Sequence, residues 1–181
     1  ENQRANAAGA TLVNYLRGQR GNEGFVIGSA TGFYRTRKHV LGDIVNAQPL
    51  FVKSPFAQYV DAGYDAFKAA YAARAPMVYV ASNDGMLHAF KAGTSTTDPA
   101  GGIEAWAFIP TPVLPNLFWL ADDKYADLHK FYVDGTPVAA DVYDPVATSW
   151  KTIVVGGLNK GGAGYYALDI TDPAAPKGLW E

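Results

Sequence analysis

The apolar positions of this chain change period several times, and each change marks an element. In residues 6–17, NAAGATLVNYLR, Ala8, Leu12, Val13 and Leu16 fall on one stripe of a 3.6-residue repeat, with Arg17 in the last turn and Gly18 as a stop. The spacing predicts an amphipathic helix there. Residues 19–39 are rich in glycine and polar side chains and read as a loop. LGDIVNAQPLFV then predicts a turn and a strand, with Pro49 at its first residue or on a sheet edge. Over 61–74 the helical period returns in Tyr64, Phe67, Ala70 and Tyr71, with Asp61 placed to cap.

MVYVASNDGMLHAF (77–90) switches to period two, Val78 and Val80 against Tyr79 and Ala81. Asn83-Asp84-Gly85 interrupts it with residues that accept positive φ, which predicts a hairpin. A polar loop at 94–102 leads into the strand IEAWAFIP, ended by Pro110. Apolar residues at mixed spacing predict a helical insertion over 113–129. In FYVDGTPVAADVY (131–143), Asp134-Gly135 predicts a second hairpin joining FYV to PVAADVY. LNKGGAG (158–164), with Asn159 and Gly161, predicts a wider turn.

Residues 77–109 have a degenerate echo in residues 153–181. Each copy reads as a strand, an Asn-x-Gly turn, a strand ending in Ala, a polar loop, and a Trp beside a Glu. Asn83 and Asn159 lie 76 residues apart, and Trp106 and Trp180 lie 74 apart. With one more strand upstream, each copy offers about four strands, the number in a propeller blade. The fold expected is mainly β, part of a β-propeller, with about two four-stranded antiparallel blades and inserted helices. Its organisation reads as a helix and Gly-rich lead-in over 1–44, a first blade over 45–110 containing the helix 61–74, a helical insertion over 111–130, and a second, truncated blade over 131–181. Val78, Val80, Leu87, Trp106, Phe108, Val154, Leu168 and Trp180 occupy the apolar strand positions and are expected to be buried.

A chain 49% hydrophobic and 18% charged has the composition of a folded globule. Its 13% aromatic share and 19 glycines suit short strands and tight turns. The net charge of −2 gives no field for nucleic acid, and the one basic clump, Arg35, Arg37, Lys38 and His39, reads as solvated surface. With no cysteine, disulfides and thiolate chemistry are excluded. No apolar run is long enough to span a membrane, and no signal-peptide pattern is read in these residues, any leader being expected in a part of the protein outside them. The chain starts inside a helical pattern and stops at Trp180-Glu181 in what should be a strand, so it reads as excised from something longer.

Candidate chemistry is thin. His39, His88 and His129 show no zinc-binding spacing, and His88 reads as a strand histidine bonded to backbone or to a carboxylate. Asp84 is expected to support its own turn through a local bond. Asp134, Asp141 and Asp144 offer oxygens of the kind calcium takes, but a hairpin turn, a strand end and an Asp-Pro turn keep them apart. Glu104 and Glu181 flank the two tryptophans and read as equivalent repeat positions, not as paired catalytic carboxylates. Lys160 is followed by Gly161, so GGLNKGGAG is a wide β turn and not a phosphate loop. The residues singled out are therefore structural: Asn83, Asp84, Gly85, His88, Trp106, Asp134, Gly135, Asn159, Gly161 and Trp180. No catalytic, cofactor-binding or metal site is assigned.

LVNYLRG, the R-x-R stretch (Arg35, Arg37) before LGDIVNAQP, NDGMLHAF, EAWAFIP, FYVDGTP, and VVGGLNKGGAGYYALDIT with LWE follow one another along nearly the whole chain. This ordered set resembles the carboxy-terminal region of the PilY/PilC family, tip-associated proteins of type IV pilus biogenesis and adhesion. The resemblance implies a modified β-propeller of which this chain is the opening portion. It implies a non-enzymatic domain that supports pilus assembly, extension and twitching motility by protein–protein contact, with pilins and minor pilins as partners and a host surface as a further one. It places the protein at the bacterial envelope, in the periplasm or outer membrane or outside the cell at the pilus tip. Some members carry a calcium loop of alternating Asp and Asn; no D-x-[DN]-x-[DN] run occurs here, so the expectation is no cofactor in this chain and calcium only beyond Glu181. The family's amino-terminal adhesive module is likewise outside it.

Three other readings have stated discriminators. A quinoprotein-like dehydrogenase propeller would need a hub pocket with carboxylate, Arg and metal, testable by pyrroloquinoline quinone titration. A host-surface adhesin module would show in adhesion assays with pilus assembly held constant. An inert scaffold would show neither. Two blades cannot close a propeller, so the piece is expected either to be a remnant of a larger domain or to self-associate through exposed strand edges.

Overall fold

The structure is a computed structural model and describes residues 9–181. Eight strands form two four-stranded antiparallel sheets, each a simple meander. Sheet one runs β1 (Leu50–Val52), β2 (Met77–Ser82), β3 (Met86–Lys91) and β4 (Glu104–Phe108) in order. Sheet two runs β5 (Val138–Asp144), β6 (Ser149–Gly157), β7 (Tyr165–Asp169) and β8 (Lys177–Trp180). A helix α1 (Ala10–Leu16) precedes sheet one, α2 (Tyr64–Ala70) is inserted between β1 and β2, and a 3-10 helix (Thr111–Ala121) joins the sheets.

The sequence repeat is a repeat of register. Tyr79 pairs with Leu50 on one side and Ala89 on the other, and Ala89 pairs with Trp106, with a register shift between Ala89 and Phe90. Val155 stands in the same relation to Val138 and Ala167, and Ala167 pairs with Trp180, again with a shift immediately after Ala167. The register also separates Glu104 from Glu181. Glu104 sits opposite Phe90, a place that Gly178 takes opposite Leu168, so the two glutamates are not equivalent positions.

One core spans both sheets. Tyr79, Ala81, Leu87 and Ala89 meet Val154, Tyr166 and Leu168, and Val113, Leu117 and Leu120 of the 3-10 helix close one end. Of the strand positions expected inside, Val80, Leu87, Val154 and Leu168 are buried. Val78, Trp106 and Phe108 are half-buried, and Trp180, 51% exposed, is not core at all. The difference between the tryptophans is one of neighbours: Trp106 has sheet two beside it, whereas Trp180 lies on the outer strand of sheet two.

Tertiary contacts overrode several local signals. Residues 131–137 form no strand and Asp134-Gly135 is no hairpin turn. The Asp134 carboxylate takes the Asn46 N–H and side-chain amide instead, and the Gly135 N–H goes to the Gly157 carbonyl at 3.0 Å. The hairpin of sheet two lies between β5 and β6, where Asp144 Oδ1 accepts the N–H groups of Val146 and Ala147 and Thr148 takes φ 49°. The first helix is shorter than 6–17, starting at Ala10 behind Gly9, and Ala8 lies outside the described residues. Its buried residue is Tyr15, while Val13 of the expected stripe is 52% exposed. In α2 the N-cap is Gly63 in the left-handed conformation; Asp61 caps nothing with its side chain, and only its carbonyl takes the Tyr64 N–H. The insertion expected over 113–129 is a 3-10 helix followed by turns, in keeping with Pro112 and Pro115, which lack the N–H donors of a regular α-helix.

Candidate functional site

The turn end of the two sheets gathers most of the residues singled out from sequence. Gly85 takes φ 92° while Asn83 and Asp84 do not turn positive, which makes this a three-residue hairpin loop with glycine in the left-handed place. Gly85 is pressed on Leu117, where a Cβ would collide. Buried Asn83 donates its N–H to the Asp43 carbonyl at 3.0 Å and Nδ2 to Asp43 Oδ2 at 2.8 Å. Its Oδ1 accepts the Tyr132 N–H at 3.1 Å. One side chain thus ties the lead-in of β1 to the lead-in of β5.

Further bonds extend that seam. Asn46 donates N–H and Nδ2 to Asp134 at 3.2 and 2.6 Å, and the Gln48 N–H meets Thr136 Oγ1 at 3.0 Å. Asn159, at φ 50°, donates Nδ2 to the Asp134 carbonyl, and Gly161 lies so close to Tyr132 that a Cβ would strike its carbonyl. His129 Nε2 stands 3.0 Å from Asp43 Oδ1. Burial raises the Asp43 pKa, but bonds from Asn83 and His129 outweigh it and hold the carboxyl below the usual range.

His88 occupies the wall of a cleft of about 630 Å³ between α1 and sheet one. Its Nδ1 lies 2.5 Å from Glu104 Oε1 and its Nε2 lies 3.0 Å from both Asp84 oxygens. Burial lowers the imidazole pKa, but the two carboxylates outweigh it and the result is raised. A neutral ring would present a bare lone pair to one carboxylate, so the charged form is the one that satisfies both. Asp84 does not serve its own turn as expected: Oδ2 accepts the Gly42 N–H at 2.8 Å, because Gly42 runs against the turn with no room for a side chain.

The remaining candidates do not converge. Asp134 belongs to the seam and Asp144 to the β5–β6 turn with Lys151, which is the first cause of its pKa falling to about 2. Asp141 is buried and accepts Tyr64 Oη and Thr152 Oγ1, the latter hydroxyl also taking a bond from Arg74. Glu181 accepts the Thr111 N–H, and the Lys160 ammonium rests over the Phe131 ring. Sequence reading missed two things. Arg37 is 5% exposed and not solvated surface: it donates to Glu23 and to the carbonyls of Tyr15 and Gln19, and stacks on Tyr15. Arg35 donates Nε to the Leu120 carbonyl and covers Tyr125. The Arg74, Tyr64 and Asp141 network had no sequence signal, since its members lie on elements far apart in the chain.

Two antiparallel meanders repeated in register, with residues of this spacing at their turns, match a known family. The family model of the PilY1 beta-propeller domain matches residues 41–181. The chain belongs to the PilY1 family. It is 44% identical over 182 residues to a type IV pilus biogenesis factor PilY1 homolog of Xylella fastidiosa, covering 97% of this chain and 14% of that protein. It is 41% identical over 188 residues to type IV pilus biogenesis factor PilY1 of Pseudomonas aeruginosa, covering 99% of this chain and 15% of that one. The crystal structure of the Pseudomonas aeruginosa PilY1 C-terminal domain matches with a TM-score of 0.53 at 36% identity, over 72% of this chain and 24% of that chain. The chain therefore spans about a seventh of the length of these curated PilY1 relatives. The curated members it matches are named as type IV pilus biogenesis factors. Among the described residues no helix is long and apolar enough to cross a membrane.

Proposed function

We propose that this segment is a non-enzymatic interaction domain of a PilY1-type protein, supporting pilus assembly, extension and twitching motility through contacts with pilins and minor pilins. The observation that carries the reading is the use made of its polar side chains. Asn83, Asp84, His88 and Asp134, which would be the natural chemical groups of the turn end, each hold a backbone segment or one another. The 35–44% identity to pilus biogenesis factors over nearly the whole chain supports the same reading. The domain then works as a rigid spacer and docking body at the envelope or outside the cell, and any calcium acts on another part of the protein.

The test is complementation in a piliated bacterium lacking its own copy of the protein. The full-length protein should restore surface pili and twitching, and the protein without residues 41–181 should not, although it is exported in equal amount. Cross-linking should retrieve pilins or minor pilins only with the domain present. Normal piliation without the domain would sink the proposal, and normal piliation with lost host-cell attachment would favour the adhesin reading.

A further inference from the structure

The contacts between the two sheets are of two kinds, one repeated along the chain and one not. Trp106 on β4 donates its indole N–H to the Pro173 carbonyl at 2.8 Å, in the turn Thr171-Asp172-Pro173-Ala174 between β7 and β8. Sheet one has the same tetrapeptide, Thr97-Asp98-Pro99-Ala100, between β3 and β4. Both turns are fixed by the same bond, the Ala174 N–H on Asp172 Oδ1 and the Ala100 N–H on Asp98 Oδ1, each at 2.9 Å. A joint of this kind cannot tell one sheet from the other, because both carry the turn that receives the tryptophan.

The unrepeated kind comes from the segment 53–76, which joins β1 to β2 and contains α2, where sheet two has only the short turn 145–148. The segment leaves and re-enters sheet one, yet it is sheet two that its side chains reach. Tyr64 Oη donates to Asp141 Oδ2 at 2.7 Å, and the Trp150 indole N–H donates to the Ala62 carbonyl at 3.0 Å. Arg74 Nη1 donates to Thr152 Oγ1 at 2.7 Å, and that hydroxyl donates to Asp141 Oδ1 at 2.6 Å. All three of Arg74, Thr152 and Asp141 are buried, so a cation and an anion lie inside the joint with one hydroxyl between them. Register gives the places of the last two in sheet one. Val138 and Val155 correspond to Leu50 and Tyr79, so the pair Asp141 and Thr152 corresponds to Lys53 and Pro76, next beyond the pair Val52 and Met77. Sheet one therefore has a cation in place of the carboxylate, and a ring without a hydroxyl in place of the threonine.

We propose that Arg74 selects which sheet lies against sheet one. Sheet two meets it with Thr152 and Asp141. A sheet with the residues of sheet one at those places would set a lysine against Arg74 and leave the Nη1 side of a buried guanidinium without an acceptor. In a domain made of similar blades the error refused is docking on the wrong blade, whether of the same polypeptide or of another copy. Buried charge suits this task, since breaking a buried pair is costly even where the intact pair contributes little stability. Apolar contacts do not suit it, because they accept any face of about the right shape and volume. The selection needs no pilus partner, because every group in it belongs to this chain.

The test is hydrogen exchange read by mass spectrometry on the full-length protein, in peptides covering 64–74 and 138–152. Asp141→Lys gives sheet two the residue of sheet one and should speed exchange in both peptides about a hundredfold, as for a broken buried pair. Asp141→Asn keeps the shape but loses the charge, and should speed it about tenfold. Arg74→Met removes the selecting group, so adding it to Asp141→Lys should bring exchange back to within about tenfold of wild type. An apolar joint made by Arg74→Met, Thr152→Val and Asp141→Leu together should leave both peptides as protected as in wild type. If Asp141→Lys does not accumulate, the recovery on adding Arg74→Met is read as restored yield of folded protein. Wild-type exchange in Asp141→Lys, no recovery on adding Arg74→Met, or an apolar joint as open as Asp141→Lys would each overturn the proposal.

Discussion

His88 bears a carboxylate on each ring nitrogen, and its folded pKa is raised because Asp84 and Glu104 outweigh the effect of burial. A group of this kind adds stability in full below its unfolded value of about 6.5 and loses the contribution as pH rises through the folded value. His88→Gln should therefore lower the melting temperature most near pH 6, and the gap to wild type should narrow by pH 9. A gap that is constant with pH would mean that the charged ring does not bridge the carboxylates. Gly161 depends on space and not on charge. Its Cβ would strike the Tyr132 backbone carbonyl, which cannot swing aside, so Gly161→Ala should cost about 2–3 kcal/mol in urea unfolding. A loss under about 0.5 kcal/mol would show that the 158–164 loop yields.

The two tryptophans separate what a strand position means from what it touches. Trp106 and Trp180 share a register, but only Trp106 has a sheet against it, with its ring 5.7 Å from Tyr79 and its N–H on Pro173. Trp106→Ala should cost about 3 kcal/mol, toward the lower end for large aromatics because the ring is half-buried. Trp180→Ala should cost about 0.5 kcal/mol or less. Equal losses in chemical denaturation would refute this account of the inter-sheet contact. The helix α2 is fixed by Tyr64, whose Oη donates to Asp141 at 2.7 Å; burial first and then Asp141 push its pKa up to about 12. Asp141→Ala would strand two buried hydroxyls beside buried Arg74, at a cost of about 3 kcal/mol.

The hydrophobic cluster takes side chains from both sheets and from the 3-10 helix between them, and the seam from Asp43 to Thr136 adds hydrogen bonds across the same boundary. The two sheets should accordingly unfold as one unit. Tryptophan fluorescence, which includes Trp106 and Trp150 from different sheets, and far-ultraviolet circular dichroism should give coincident urea transitions. Two separated transitions, or a cooperative transition in residues 9–121 alone, would show that the blades are independent.

Period and turn chemistry in the sequence determined the strands β2, β3, β4, β6 and β7, the Asn83-Asp84-Gly85 hairpin, the two-sheet repeat and the family resemblance. Each follows from bonds between neighbours in the chain: alternation sets which face a side chain takes, and a glycine at positive φ sets where the chain reverses. Asp134-Gly135 carries an equally good local signal, yet the tertiary structure draws Asp134 to Asn46 and Gly135 to Gly157, 88 and 22 residues away, and no hairpin forms. Arg37 reads as surface because charge is local information, whereas its partners Tyr15, Gln19 and Glu23 come from other turns of the chain. Trp106 and Trp180 read alike because their neighbours in sequence are alike, and differ because only one of them has a second sheet beside it. Local conformation was legible from sequence; burial and polar partnership were decided by which distant elements arrive, and that depends on the whole fold.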